Sequence, residues 1–395
     1  MKSERPLSVT PLFCRGSSAG LCDWGTGAFF TSGLYGIETS FRLSCYNTLM
    51  SLYRKYRPAN FKEVIGQGSV VGVLARAIKD KTIAHAYLFT GSRGTGKTSV
   101  ARIFAKDIGT VPEDLYEIDA ASNRGIDEIR ELREAVRTLP FRSPYKVYII
   151  DEVHMLTAPA FNALLKTLEE PPAHVIFILA TTEAHKLPET IVSRCQVFNF
   201  KKPSEDEVKQ LVEHVAKSEG YKIDAGSLSL IALLSEGAFR DALTILEKIV
   251  NTSKDKKISL GEVEEVTGAP RVALLEQFIR ALAEGDRATA LTVLAGIGDK
   301  NIDARVFAKL VMRDVRYAML LAFAPDLSAR IHGELASGEF EFVQSLGKHP
   351  GAKKFPNVLR EFLSAYSELG RSHIPTLPLE LAVVRLLPDE EKKND

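Results

Sequence analysis

The sequence has few cysteines, almost no net charge and no long apolar run. Its 395 residues include four cysteines, and none of them forms a Cys-x-x-Cys pair, so neither a zinc knuckle nor a disulfide framework is indicated. The net charge of +1 excludes a global basic field, so any contact with nucleic acid must be local or come from assembly. No run of 18 apolar residues occurs, which excludes a membrane-spanning helix. These absences leave a globular protein of two or three domains, expected in a reducing cytoplasm.

The first 49 residues differ from the rest of the chain. They show neither helical nor strand periodicity, and they lack the basic start, apolar core and cleavage site of a signal peptide. A well-patterned segment, MSLYRKYRPANF, starts at Met50. We therefore expect translation to begin at Met50 and residues 1–49 to be an unstructured or mis-assigned extension, although a small ordered element around Trp24 is an alternative. Cys195 is interpreted as a small buried apolar residue.

A glycine-rich stretch follows a short apolar run. IAHAYLFTG (83–91) is typical of a buried strand, GSRGTGKT follows it, and the next residues carry apolar side chains at helical spacing. Strand, glycine turn and helix are the context in which such a stretch binds phosphate, because the backbone N–H groups curl around the oxygens. Lys97 is expected to reach the β- and γ-phosphates, and Thr98 to bind Mg²⁺. The predicted phosphate loop comprises Gly91, Ser92, Arg93, Gly94, Thr95, Gly96, Lys97, Thr98 and Ser99.

An acidic pair follows a second buried strand in KVYIIDEVHML (146–156). Ligands bind at the carboxyl ends of parallel strands, so Asp151 is predicted to hold the magnesium shell and Glu152 to polarise an attacking water. The alternative is an acidic helix cap after a core strand. His154 has no metal-like partner four residues away and is interpreted as structural or as a weak polar contact.

Three further polar residues are candidates for sensing the γ-phosphate. Thr182 ends the strand HVIFILATT, where its hydroxyl would position water or cap its own turn. Arg194, in an exposed Ser-Arg-Cys turn, would reach the phosphates of a neighbouring subunit or form a surface salt bridge. Arg240 opens a helix and would contact the phosphates from a lid, or pair with Asp241 at the surface.

The second half of the chain is predicted to be helical. Ser204 and Glu207 form a capping box that opens a helix to about residue 220, and two more helices are expected at 225–236 and 238–251. Beyond residue 268, apolar stripes recur at helical spacing without a phosphate or metal motif. These stripes favour a packed helical region with a core or a subunit interface.

An arginine-rich segment lies between the two candidate strands, in ASNRGIDEIRELREAVRTLPFR. Asn123 is expected to cap a helix whose start, with Arg124, suits a phosphate. Arg130, Arg133 and Arg137 fall on one face of that helix, which would contact DNA or simply be a solvated mixed-charge face.

The motifs resemble a known family. LYRKYRPANFKEVIGQ, HAYLFTGSRGTGKTS, EIDAASNRGIDEIREL, FNALLKTLEEPP, FILATTEAHKLPETIVSRCQVF and EGAFRDAL occur in this order. Together they resemble the gamma/tau subunits of the bacterial DNA polymerase III clamp loader, which are AAA+ ATPases. The resemblance is dense over 51–250 and weaker to about 387.

The resemblance implies a fold and several residue roles. The fold would be an α/β AAA+ core with a parallel sheet flanked by helices (50–202), a small helical lid (203–267) and an all-α collar (268–395). Arg194 would be an arginine finger acting in trans, Arg240 the sensor-2 arginine, and Thr182 the sensor-1 residue, with Thr181 as the alternative. Val64 and Ile65 would contact adenine, and Asn123 and Arg124 would contact the DNA backbone.

The implied function is that of an ATPase within the DNA polymerase III holoenzyme that does not itself polymerise. With ATP and Mg²⁺, it would open the sliding clamp (beta) and load it on primed DNA. Its other partners would be delta and delta-prime subunits, further copies of itself and the polymerase III core. The alternatives are a scaffold arm that binds nucleotide without turnover, and a different AAA+ remodeller such as a Holliday-junction motor.

The sequence departs from the family pattern in two places. The family usually carries a four-cysteine zinc module in the span that here reads AKDIGTVPEDLYEID, so we expect no zinc site. The chain ends at Asp395 without the long tail of tau forms, and so resembles the short gamma form.

Overall fold

The computed structural model describes residues 50–387, apart from residues 124, 254, 300 and 336. The expectations for residues 1–49 and for Arg124 therefore lie outside the described residues. None of the helices within that range is long and apolar enough to cross a membrane.

The first part of the described chain is built on a five-stranded sheet. All four strand pairings are parallel, and the strand order is β2-β3-β4-β1-β5. The strands are β1 (Ala86–Thr90), β2 (Leu115–Asp119), β3 (Lys146–Asp151), β4 (Val175–Thr181) and β5 (Gln196–Asn199). Every residue of β1 and β4 is buried, as expected for central strands covered on both faces. Because the strands are parallel, their carboxyl ends lie at one edge of the sheet.

Helices cover both faces of this sheet. The helix α1 (Leu52–Lys55) packs instead with the helical region that follows the sheet, and the helices on the sheet are α2 (Gly68–Lys79), α3 (Lys97–Asp107), α4 (Ile126–Ala135), α5 (Ala158–Glu169) and α6 (Glu189–Val192). Alternate residues of β4 belong to two different apolar clusters, since neighbouring side chains on a strand point to opposite faces. Phe177 packs with Ile129 of α4 and Leu164 of α5, whereas Ile178 packs with Phe104 of α3.

Cys195 is partly buried, and not fully buried as the sequence predicts. It packs against the cluster that contains Phe177, and burial raises the pKa of its thiol to about 11.

Four short helices and a two-stranded ladder follow the sheet. They are α7 (Glu205–Ser218), β6 (Lys222–Ile223), α8 (Ala225–Leu234), α9 (Phe239–Thr252), β7 (Lys257–Ile258) and α10 (Leu260–Thr267). The predicted capping box is confirmed, because the Glu207 carboxylate accepts the Ser204 N–H at 2.8 Å and the Ser204 hydroxyl accepts the Glu207 N–H at 3.2 Å. The first three helices match their predicted spans, whereas α10 and the ladder were not predicted.

The remaining helices share one large apolar cluster. They are α11 (Val272–Glu284), α12 (Arg287–Asp299), α13 (Ala304–Phe323), α14 (Ser328–Glu334), α15 (Ser337–Lys348), α16 (Phe355–Glu368) and α17 (Leu377–Leu386). Phe278 lies at the centre, with its ring edge-to-face against the rings of Phe307 and Phe362. The predicted fold class, a parallel α/β sheet followed by helical regions, is thereby confirmed. The domain boundaries at residues 202 and 267 stay predictions.

Candidate nucleotide-binding site

The glycine-rich loop connects β1 to α3, in the predicted order of strand, turn and helix. Three of its glycines have a positive φ: Gly91, Gly94 and Gly96. Lys97 is the first residue of α3, and its ammonium donates hydrogen bonds to the carbonyl oxygens of Gly91 at 2.8 Å and Ser92 at 2.9 Å. The lysine therefore crosses beneath the loop and fixes its curvature.

Two of these glycines also permit close approaches that a side chain would block. A Cβ on Gly91 would lie 2.6 Å from the carbonyl oxygen of Phe200, and one on Gly94 would lie 2.9 Å from the Cβ of Ala238. The Phe239 N–H, at the start of α9, donates to the Gly94 oxygen at 3.2 Å. The phosphate loop is thus in direct contact with the helical region that follows the sheet.

Lys97 is almost completely buried, with 5% of its surface exposed. Burial lowers the pKa of its ammonium, and the nearby carboxylates of Glu152 and Asp151 act in the opposite direction. A buried cation needs compensating negative charge, which here comes from the two carboxylates.

Asp151 is the last residue of β3, at the edge of the sheet where α3 begins. The Thr98 hydroxyl donates to Asp151 Oδ2 at 2.8 Å, and the Glu152 N–H donates to Asp151 Oδ1 at 3.0 Å. Hydroxyl and carboxylate oxygens are the ligands that Mg²⁺ prefers. The pair Thr98 and Asp151 therefore fits the predicted metal site.

Glu152 has a left-handed backbone, with φ 49° and ψ 44°, which is uncommon for a residue other than glycine and is often found at functional sites. Its Oε2 accepts the Thr182 N–H at 3.2 Å and the Thr182 hydroxyl at 2.9 Å. The strand-end threonine and the acidic residue, 30 residues apart in sequence, therefore meet.

Thr181 and Thr182 have different environments. Thr181 is fully buried, its hydroxyl oxygen accepts the Glu183 N–H at 3.0 Å, and it lies 2.9 Å from His154 Nδ1. Thr182, in contrast, contacts Glu152 directly. This contact supports Thr182 over Thr181 as the residue that acts with Glu152.

A cleft of about 1010 Å³ runs along this edge of the sheet. Besides the loop from Arg93 to Ser99, it is lined by the predicted adenine contacts Val64 and Ile65, the acidic pair and Arg240. Val64 also packs against the core cluster of β1 and α3, which suits an apolar wall for a flat base. Arg57, in the segment RKYRPANFKEVIGQ, also lines the cleft, as do Tyr53 and His214, which sequence reasoning had not singled out.

Arg240 extends into this cleft from the first turn of α9. Its guanidinium carbon lies 4.7 Å from the centre of the Tyr53 ring, a cation–π contact that holds the charge at the cleft wall. Burial lowers the pKa of Arg57, which also has Arg102 and Arg240 nearby. Several cations thus converge on the cleft from different elements, a distribution that attracts anions.

Arg194 lies elsewhere. Its guanidinium donates to Glu169 Oε1 at 2.7 Å and to the carbonyl oxygen of Thr190 at 2.8 Å, and its side chain is 33% exposed. It is not among the residues that line the cleft. The structure therefore does not bring Arg194 to the other site residues of its own chain, and shows it in a surface ion pair.

The expected cap at Asn123 is wrong. Helix α4 starts at Ile126 with Gly125 as its N-cap, and the Asn123 amide instead donates to the carbonyl oxygen of Asp119 at 3.1 Å. The Asn123 N–H also donates to this oxygen, at 2.9 Å, so the residue belongs to the turn after β2, three residues before the helix. Because α4 ends at Ala135, Arg137 also lies beyond it. The predicted arginine face is therefore shorter than the sequence indicates.

Comparison with known proteins decides the family. A family model described as DNA polymerase III, delta subunit, matches residues 110–204. The DNA polymerase III subunit gamma of Buchnera aphidicola is 36% identical over 297 residues, which cover 70% of this chain and 82% of that protein. The chain belongs to the DNA polymerase III gamma/tau family.

The chain covers less than two thirds of the length of several relatives that it matches. The DNA polymerase III subunit tau of Bacillus subtilis is 36% identical over 358 residues, covering 85% of this chain and 63% of that protein. The gamma/tau subunit of Mycoplasma pneumoniae is 43% identical over 255 residues, covering 60% of this chain and 37% of that protein. Among solved structures, the RuvB Holliday junction branch migration motor of Thermotoga maritima is 20% identical, with a TM-score of 0.47 over 60% of this chain and 85% of that chain. A similarity at this level carries no argument about function.

Proposed function

We propose that this chain is an ATP-hydrolysing motor subunit of a DNA polymerase III clamp loader, which opens the sliding clamp and loads it on primed DNA. The observation that carries the proposal is that the phosphate loop and the acidic pair line one cleft, while the strand-end threonine contacts the acidic pair. The phosphate loop, the acidic pair and the strand-end threonine are brought together by hydrogen bonds from Thr98 to Asp151 and from Thr182 to Glu152. Membership of the gamma/tau family supports the assignment to a clamp loader and not to another ATPase.

ATP is the substrate that fits this cleft. The loop N–H groups and Lys97 hold the β- and γ-phosphates, while Val64 and Ile65 contact the adenine. Thr98 and Asp151 would hold magnesium, which would neutralise charge on the phosphate oxygens when bound. Arg240 binds the phosphates from α9, so that the helical region closes with the nucleotide in place.

Hydrolysis requires a water aligned with the γ-phosphate. Glu152 accepts the proton of that water, and Thr182 orients the carboxylate through its N–H and hydroxyl. Arg194 supplies a positive charge to the site of a neighbouring subunit, which requires it to leave Glu169. ATP hydrolysis in each site therefore requires a neighbouring subunit that supplies Arg194.

The proposed partners follow from this scheme. They are delta and delta-prime subunits, further copies of the chain, the sliding clamp, primed DNA and the polymerase III core, all in the cytoplasm. Asn123 and Arg124 contact the DNA backbone, without sequence preference and with an affinity that falls with salt.

Steady-state ATP hydrolysis tests the proposal. The chain is combined with delta and delta-prime subunits and assayed with clamp, with primed DNA, with both and with neither. Stimulation that needs clamp and primed DNA together is the expected result, and the Lys97→Ala variant sets the blank. Binding of ATP without stimulated turnover would instead favour a scaffold arm, and stimulation by Holliday junctions alone would favour a junction motor.

A further inference from the structure

His154 lies in the turn that follows the acidic pair, within the 3-10 segment Val153–Met155. Its imidazole side chain is 5% exposed, so it is buried beside the end of β4 and faces away from solvent. A buried histidine needs polar partners for both ring nitrogens.

Both nitrogens of His154 have such partners. Nδ1 lies 2.9 Å from the hydroxyl oxygen of Thr181 and 3.3 Å from Oε2 of Glu152. Nε2 lies 3.0 Å from Oε2 of Glu183, which also accepts a 2.9 Å hydrogen bond from the Lys186 ammonium. The ring therefore joins the turn that carries Glu152 to the segment that follows β4.

The side-chain contacts of Glu152 described above are all made by one carboxylate oxygen, Oε2. In the described part of the chain, Thr182 and His154 both approach Oε2, and the Glu152 side chain remains 29% exposed. Oε1 is left as the oxygen that can face an attacking water. The left-handed backbone of Glu152 makes such side-chain contacts necessary, because an uncommon backbone conformation persists only when its surroundings hold it.

We propose that His154 is a positioning residue for Glu152: its ring, fixed by the hydrogen bond to Thr181, confines the carboxylate 3.3 Å from Nδ1 so that the opposite oxygen meets the water that attacks ATP. This rests on the proposed function, because the direction of Glu152 matters only if the chain hydrolyses ATP. His154 is not itself among the residues that line the cleft and reaches it only through Glu152, so we expect its effect on the chemical step and not on nucleotide binding.

The two ring nitrogens can be tested separately. An asparagine at this position places its amide near Nδ1, and a glutamine places its amide near Nε2. We expect His154→Ala and His154→Gln to lower kcat for ATP by about tenfold, and His154→Asn to lose less than about threefold, with KM within about twofold for all three.

The test measures kcat and KM for ATP of the three variants in the assembled loader. The melting temperature and the nucleotide affinity of each variant are measured alongside. The wild-type rate above the Lys97→Ala blank tests the proposed function, and the ratio of each variant to wild type tests His154 alone. Combining His154→Ala with Glu152→Gln should add nothing to the loss from Glu152→Gln, since the positioned group is gone. Equal losses in the Asn and Gln variants, a weaker affinity for ATP, or additive losses in the double variant would overturn the inference.

Discussion

The Thr98 hydroxyl donates a 2.8 Å hydrogen bond to Oδ2 of Asp151, across 53 residues of sequence. It joins the start of α3 to the end of β3, two elements that flank the carboxyl edge of the sheet. A chain that only used its glycine loop as a turn would have no need of an acidic partner there. The contact therefore supports a site for phosphate and metal together.

Replacing Lys97 with alanine is expected to weaken ATP binding and to lower hydrolysis by at least about 100-fold, because the buried ammonium both holds the loop through the Gly91 and Ser92 carbonyls and supplies its positive charge. Lys106→Ala is a matched control, since that exposed lysine lies in the last turn of the same helix. Binding of a fluorescent ATP analogue checks the prediction. Equal affinity in the Lys97 variant and wild type would contradict it.

Glu152→Gln should separate binding from chemistry. The amide keeps the shape of the side chain and can still accept the Thr182 hydroxyl proton, but it is a poor base. We expect ATP affinity within about threefold of wild type and a hydrolysis rate lower by about 100-fold or more. Binding and single-turnover assays on the same preparation measure both quantities. Near-normal turnover would contradict the proposal that Glu152 accepts the proton of the attacking water.

Arg194→Ala is expected to leave ATP binding by the isolated chain unchanged, because the guanidinium contacts Glu169 and Thr190 and not the cleft. In the assembled loader, hydrolysis should fall by about 1000-fold, the effect typical of a finger supplied by a neighbour. Glu169→Gln is the matched control, since it removes the ion pair and keeps the arginine. A loader that stays fully active without Arg194 would contradict the account.

Asp114 links stability to pH. Burial alone would raise the pKa of its carboxyl, but hydrogen bonds from the N–H groups of Phe141, Arg142 and Ser143, together with the Ser143 hydroxyl, outweigh it and lower the pKa to about 2. A lowered pKa stabilises the fold above the usual carboxyl pKa, and this stability is lost as pH falls towards about 2.

Asp114→Asn should therefore lower the free energy of unfolding by about 1–2 kcal/mol at pH 7. The difference from wild type should stay constant down to about pH 5 and shrink between about pH 4 and pH 2. Urea unfolding at several pH values measures it. If the difference in unfolding free energy between wild type and Asp114→Asn grew as the pH fell, the Asp114 pKa would be raised and not lowered, which would contradict the prediction.

Much of the site could be predicted because its motifs are local. The loop 91–98 and Asp151–Glu152 each combine a strand with the residues directly after it, so sequence order alone places them at one edge of the sheet. The role of His154 could not be seen, because its partners Thr181 and Glu183 come from the end of another strand and the residues just after it, and its only signal was its closeness to Glu152. Asn123 was misjudged as a cap, since a turn and a helix start compete for the same side chain.

The most direct test of the central claim is ATP-dependent retention of labelled sliding clamp on nicked circular DNA, separated from free clamp by gel filtration. The loader containing this chain should leave clamp on the DNA only when ATP is present, and the Lys97→Ala loader should leave none. Retention that is equal without ATP, or equal in the Lys97→Ala loader, would contradict the claim that ATP at this site powers clamp loading.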